Sequence, residues 1–273
     1  MNHFLAVLFL FVHQALSQAD EVRKFARVEV GGKVSFGIVE GDRIRLLEGD
    51  LFGEWNPTEN LVSRSEIRLL APCAPSKVFG AAGNYRSADK PDAPKPPHPQ
   101  LFFKSPTGVI GPEEAIQIPR DLARPLYEAE LVAVIGKRAK DVPVEKAPAH
   151  VLGYTCGNDV SGGDWSQDVQ WLRVKGCDTF APCGPYIVSG LDPGDLDIQL
   201  RVNGQVKQKG NTRDYNFTVA ETVSFLSRYI TLEPGDLIFM GTPPPVDSFN
   251  PGDVLEVEIE GIGVLRNPSK RLE

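Results

Sequence analysis

The sequence predicts an α+β chain that is mostly β, and three observations point there. The 273 residues carry 26 Gly and 23 Pro set among short apolar runs, which favours a turn-rich β architecture over a helical bundle. Apolar segments of strand length outnumber those of helix length and do not alternate with helices as βαβ units would. The tripeptide Pro-Gly-Asp begins at Pro193, Pro234 and Pro251, each time ahead of an apolar run, so it marks turns that lead into strands.

Residues 4–12 read FLAVLFLFV and are followed by HQALSQAD. The run is too short to span a bilayer. It fits the apolar region of a secretory leader, with Ala15 and Ser17 as small residues before a cut near Gln18, although no Lys or Arg precedes it. The expectation is a leader over 1–17 and an exported protein, periplasmic or secreted, with no membrane span in the mature chain. If the segment is not a leader, the protein is cytoplasmic.

Residues 18–70 are expected to form a small β domain. Within it, 22–47 alternate apolar and polar residues and are broken by Gly31-Gly32 and Gly41-Asp42, the pattern of an antiparallel meander. The main domain then occupies 71–273. It opens with a strand from Lys77 to Gly80 that runs into a Gly-rich loop. KPDAPKPPHPQ is a Pro-rich excursion that cannot join a ladder, and loops of this kind are often lids. LFFKSPTGVI resumes extended structure. A short helix is expected over 144–151. A longer one is expected over 218–230, where Thr218 and Glu221 have capping-box spacing and Val219, Val223, Leu226 and Ile230 form one stripe. In VLEVEIEGIG, Leu255, Val257 and Ile259 alternate with Glu256, Glu258 and Glu260, giving one buried and one wet face.

A formal net charge of −7 without a basic tract excludes nucleic acid as a partner. The four cysteines (Cys73, Cys156, Cys177 and Cys183) form no CxxC pair, which argues against a zinc site. In an exported chain Cys177 and Cys183 would be placed to pair across a short loop.

The most informative stretch is YEAELVAVIG. Glu128 and Glu130 stand two apart at the head of Leu131, Val132, Ala133, Val134 and Ile135, a run with the character of a strand covered on both faces. On a strand, residues two apart share a face and lie about 7 Å from each other. Two like charges there repel and lose hydration, so one neutralises or a cation sits between them. A third acid comes from GYTCGNDVSGGDWSQD, which offers Asp159, Asp164 and Asp168. Asp159 follows an apolar run and precedes Gly-Gly, at the end of a strand, whereas Asp164 and Asp168 lie in the loop or turn beyond it. Three carboxylates with water in the remaining positions suit Mg²⁺ or Mn²⁺.

Taken in order, YEAELVAVIG, GYTCGNDVSGGDW, VKGCDTFAPCGP, VNGQVKQKGNT and LEPGDLIFMGTP resemble the fumarylacetoacetate hydrolase family over about residues 70–270. The resemblance implies a mixed β-roll with few short helices, a divalent metal at its mouth, a homodimer, and a small-molecule 2-oxo acid as substrate. It implies that Glu128, Glu130 and Asp159 hold the metal and that Lys175, in VKGCD, is the active-site lysine, with Asp164 and Gln167 in the loop lining the same pocket. Tyr85 and Arg86, after Gly83-Asn84, and Thr242, in MGTP, match substrate-binding positions. The chemistry agrees: a divalent ion chelated by a 2-oxo acid draws electrons toward the keto oxygen, and an ammonium aimed at that oxygen adds stabilisation where charge develops.

The chain departs from the family's hydrolases at the lid. The His and Glu that activate water there are Ala88 and Pro91 here, the usual Arg after the metal aspartate is Gly163, and the Gly after GTP is Pro244. Loss of a positioned base costs water attack on the order of 10²- to 10⁴-fold, whereas enolisation does not need that pair. His98, on the same excursion, is a candidate substitute base, set against the favoured reading of a plain surface-loop histidine, and Asp89 is a weaker candidate. The expected function is a Mg²⁺-dependent enzyme acting on a 2-oxo or acylpyruvate-type acid by C–C hydrolysis, decarboxylation or enol and double-bond isomerisation. The alternatives are an exported metal-dependent carboxylic-acid binding protein that has lost catalysis, and an interaction domain with no small-molecule site.

Overall fold

The computed structural model of the chain describes residues 21–86 and 94–273. The expected leader over 1–17 and the lid positions Ala88, Asp89 and Pro91 lie outside the described residues.

The N-terminal meander begins with β1 (Arg23–Val30), β2 (Lys33–Glu40) and β3 (Arg43–Gly49), turning at Gly31-Gly32 and Gly41-Asp42 as the alternation predicts. The polar stretch that follows holds a fourth strand, β4 (Trp55–Ser63), paired to β3. An edge strand shows one side to solvent and tolerates Pro57, which is why WNPTENLVS does not read as a strand. A short β5 (Arg68–Leu69) returns to β1. The meander is hydrogen-bonded to the rest of the chain: the far side of β1 pairs with a main-body strand through Phe25↔Ile187.

The main body opens with β6 (Val78–Ala82) and β7 (Gln100–Lys104) and continues through β8 (Val109–Ile110), β9 (Ile116–Ile118) and β10 (Pro125–Leu126). Next come β11 (Ala129–Ile135), β12 (Val151–Asn158), β13 (Ser161–Gly162) and the one-turn helix α1 (Leu172–Lys175). The strands β14 (Ala181–Ser189), β15 (Asp197–Val202) and β16 (Gln205–Asn211) precede helix α2 (Val219–Tyr229), and β17 (Leu237–Phe239), β18 (Val254–Ile259) and β19 (Gly263–Arg271) end the chain. The large sheet runs β4-β3-β2-β1-β14-β12-β11-β17-β6-β7, and a second sheet runs β16-β15-β18-β19-β9. Pairing is mostly antiparallel, with β17–β6, β19–β9 and β14–β8 parallel. This is the mostly-β mixed roll that the sequence predicts.

All seven residues of β11 are buried. Leu131, Ala133 and Ile135 join a cluster with Leu200, Leu255 and Val257 of the second sheet, while Val132 and Val134 join Phe25, Val78, Ile187 and Phe239 on the other face. Along β18 Leu255, Val257 and Ile259 are buried, and Glu256 and Glu258 bind Arg201 on the outer face. Helix α2 carries the expected capping box: the Thr218 hydroxyl accepts from Glu221 N, and the Glu221 carboxylate accepts from Thr218 N. The segment expected as a short helix over 144–151 is a 3-10 helix, Val144–His150, interrupted by Pro148, which has no N–H to give to an α turn.

Cys177 and Cys183 do not pair; all four thiols are free. Cys183 packs into the apolar cluster under β14, while the Cys177 thiol donates to the Arg173 carbonyl at the end of α1.

Asp236, fully buried in the Pro234 turn, accepts from Lys77 N at 2.8 Å, Glu233 N at 2.8 Å and Ser76 Oγ at 2.7 Å, and pairs with Lys77 Nζ. It fixes the adjacent starts of β6 and β17. Asp236→Ala is expected to lower the unfolding free energy by about 3 kcal/mol, because buried donors lose their acceptor. Urea denaturation reads this directly, and a loss below about 1 kcal/mol would contradict it.

Candidate active site

The register of β11 against β12 builds the site. Ala129 lies opposite Asn158 and Glu130 opposite Gly157, so Glu128, Glu130 and Asp159 meet where the two strands end. Asp159 N donates to Glu128 O at 2.8 Å, and Glu128 N donates to Asn158 Oδ1 at 2.9 Å, which locks the two ends together. Each of the three acids offers a carboxylate oxygen within 4.8 Å of the other two. Glu130 and Asp159 are each 1% exposed.

Four partners hold this charge. Lys175 Nζ donates to both oxygens of Glu128, at 2.9 and 3.0 Å, and to Asp159 Oδ2 at 2.7 Å. Lys104, from the end of β7, donates to Asp159 Oδ1 and to the Lys175 carbonyl, the latter at 2.7 Å. The Ser161 hydroxyl donates to Glu128 Oε1 at 2.7 Å. Gly241 N donates to Glu130 Oε2 at 2.6 Å. Gly241 has φ +94°, and a Cβ there would stand 2.8 Å from Asn84 Cβ, so the close approach of this amide needs glycine. Asn84 pins the same loop by donating to the carbonyls of Met240 and Phe217.

Burial, with the charges of Asp159 and Glu128 added, pushes Glu130 well above the usual carboxylate range. Burial also works against charge on Asp159, but Lys104 and Lys175 outweigh it and hold that carboxyl below its ordinary value. Lys175 is buried as well, yet Asp159 and Glu128 outweigh the burial and raise its pKa. Two lysines therefore do not balance three acids. A hard divalent cation fits this donor set, because it supplies the charge that lets the third carboxylate ionise.

The acids and Lys175 line a cavity of about 270 Å³, together with Thr242 and an apolar wall containing Phe102, Leu126, Trp171 and Val174. Thr242 Oγ1 accepts from Gln208 Nε2 at 3.1 Å, and Gln208 Oε1 accepts from Ala129 N at 3.0 Å, which ties the hydroxyl to the start of β11. A larger groove of about 690 Å³ over β15, β16 and β18 lies elsewhere; its Asp197 and Glu258 are already bound to Asn211 and Arg201.

Of the residues singled out in the sequence, Glu128, Glu130, Asp159, Lys175 and Thr242 come together in one cavity. Asp164 and Gln167 are exposed and outside the described lining. Asp164 accepts from the amides of Ala123 and Arg124, at 2.6 and 3.0 Å, and so caps a neighbouring turn. Asp168 pairs with Arg173. Tyr85 packs edge-on against Tyr215, and Arg86 donates to the Arg213 carbonyl, so both flank the cavity instead of lining it. His98 stacks on Phe225 of α2, outside the lining. Lys104 was not among the residues singled out. Its signal was a lysine closing the apolar run LFFK, the same mark of a charge at a strand end that drew attention to Glu128 and Glu130.

A family model described as "Fumarylacetoacetate (FAA) hydrolase C-terminal" matches residues 77–269, and one described as "Rv2993c-like, N-terminal" matches residues 23–72. The crystal structure of 5-carboxymethyl-2-hydroxymuconate delta-isomerase from Mycobacterium smegmatis is similar with a TM-score of 0.86 and 39% identity, covering 91% of this chain and 100% of that one. The 2-hydroxyhepta-2,4-diene-1,7-dioate isomerase from Mycobacterium marinum is similar with a TM-score of 0.85 and 39% identity, covering 91% and 98%. The mitochondrial oxaloacetate tautomerase fahd2 of Xenopus laevis is 38% identical over 225 residues, which is 77% of this chain and 70% of that protein.

Lys104→Met leaves Asp159 with one cation in place of two. The expected result is a loss of about 3 kcal/mol in unfolding free energy, since an under-compensated buried carboxylate is costly. Unchanged stability in urea denaturation would contradict the role given to Lys104.

Proposed function

Because the chain belongs to the fumarylacetoacetate hydrolase family, we propose that it is a divalent-metal-dependent enzyme that moves protons on a 2-oxo or acylpyruvate-type acid. The favoured reaction is enol or double-bond isomerisation; C–C hydrolysis and decarboxylation are the less favoured outcomes. The observation that carries this reading is the convergence of three carboxylates, two of them buried, and one bridging lysine on a cavity of metabolite size.

Glu128, Glu130 and Asp159 would hold Mg²⁺ or Mn²⁺, which when bound supplies Lewis-acid polarisation of a 2-oxo acid's oxygens. The chain's own groups do the rest. Lys175 stays an ammonium at the cavity wall, where it would stabilise negative charge on the keto oxygen. Thr242 accepts from Gln208, which leaves its own O–H to donate to the substrate carboxylate. The apolar wall excludes water and strengthens both interactions. Ala88 and Pro91 in place of a water-activating pair support isomerisation over hydrolysis, as do the isomerase and tautomerase names of similar proteins.

Two measurements test this. Glu130→Ala is expected to remove Mg²⁺ or Mn²⁺ binding by calorimetry and the accompanying rise in melting temperature; unchanged affinity would sink the ligand assignment. Lys175→Met is expected to slow metal-dependent deuterium exchange at C3 of a 2-oxo acid by about 10²-fold or more while the protein still binds the ion. Retained exchange in that variant would rule out the lysine's electrostatic role.

A further inference from the structure

Resting on that reading, we propose that the pocket selects 2-oxo monocarboxylates with a neutral, apolar tail and discriminates against acids with a second carboxylate at the tail. The wall beside the carboxylate cluster is built from Phe102, Leu126, Trp171 and Val174. Trp171 has φ +52°, a left-handed conformation that a bulky residue adopts only where its surroundings impose it. The strained residue sets its indole edge-on to Phe102, with ring centroids 5.6 Å apart at 68°. Phe102 in turn lies under Lys175 Nζ, which is 5.1 Å from its ring centroid. Trp171, Val174 and Lys175 follow one another at helical spacing, so a single turn of chain delivers the indole, an aliphatic side chain and the ammonium to one cavity.

The side of the cavity next to β10 is closed to long side chains. A Cβ at Gly163 would stand 2.8 Å from the Arg124 carbonyl oxygen and 3.1 Å from Leu126 Cγ. Leu126 takes that space and presents hydrocarbon to the pocket. Among the described lining residues Lys175 is the one cation, and it stands at the carboxylate-cluster end of the cavity, bonded to Glu128 and Asp159. A tail carboxylate laid on this wall would lose hydration and meet no free counter-charge among the described lining residues. A methyl or methylene in the same place gains contact instead.

The experiment follows deuterium exchange at C3 by proton NMR, using the full chain with Mg²⁺ and, separately, with Mn²⁺. Each rate is expressed as an enhancement over the uncatalysed exchange at the same metal concentration. The acids are pyruvate, 2-oxobutanoate, 2-oxopentanoate, oxaloacetate and its neutral isostere 4-methyl-2-oxopentanoate. The enhancement is expected to rise roughly threefold to fourfold per methylene from pyruvate to 2-oxopentanoate. 4-Methyl-2-oxopentanoate should exceed oxaloacetate by about tenfold or more. Trp171→Ala should flatten the chain-length series. Ser166→Arg, a change at an exposed lining position, should raise oxaloacetate about tenfold relative to its isostere, because it supplies a cation for the tail. An oxaloacetate enhancement equal to or above that of the isostere, or a ratio unmoved by Ser166→Arg, overturns the inference and leaves the enzymatic reading standing. No exchange with any acid and either metal overturns that reading and the inference with it.

Discussion

Two buried carboxylates and one half-buried one meet at the end of one pair of strands, and the rest of the structure is arranged around that concentration of charge. The pairing of β11 with β12 sets it up. A slip of one residue in that register would turn Glu130 away from Asp159 and put Leu131 in its place, because side chains alternate faces along a strand. Burial of β11 on both faces forbids the slip: Leu131, Ala133 and Ile135 fit one cluster, Val132 and Val134 the other. Hydrophobic packing thus decides where the charges stand, and the charges decide what must be brought to meet them.

What is brought comes from chain ends that converge at one edge of the sheet. Lys104 closes β7, Gly241 follows β17, and Asn84 lies just past β6, all in strands that continue the sheet beyond β11. Each supplies a donor at a strand end, where the backbone leaves the ladder and side chains face the cavity. Lys104 bridges the Asp159 carboxylate and the Lys175 carbonyl, so it holds both the acid and the segment that carries the second lysine. The cluster is cross-braced by hydrogen bonds from the Lys104 ammonium that span 55 and 71 residues of sequence.

That spread explains how much of the site was legible in the sequence. Glu128 and Glu130 could be read because a charge inside an apolar run is a local anomaly, and Asp159 because it ends the next such run. Helix α2 was legible from Thr218 and Glu221, since a capping box is written within four residues. β4 was not, because an edge strand has no buried alternation to display. Lys104 carried the same mark as the glutamates but had no neighbouring charge to draw attention to it. Asp164 went the other way: it sits in the right loop, yet its partners are the amides of Ala123 and Arg124, forty residues upstream, and nothing local reveals them. Sequence pattern reports strand ends and local caps; it does not report which distant backbone a loop carboxylate will meet.

α1 shows why the charge cluster and the apolar wall act as one unit. Four residues make too few helical hydrogen bonds to hold a helix by themselves, so its position is set by what it carries. Lys175 anchors one end through Glu128 and Asp159, Val174 is buried, and Trp171 leans on Phe102 at the other end. A change in the charge of the carboxylates therefore acts on the same turn of chain that holds the indole in its strained conformation. The lysine that pairs with the ion-binding carboxylates and the side chains that would touch a substrate's tail are one and four residues apart on one turn of chain. Loosening either end would be felt at the other without any long path through the protein.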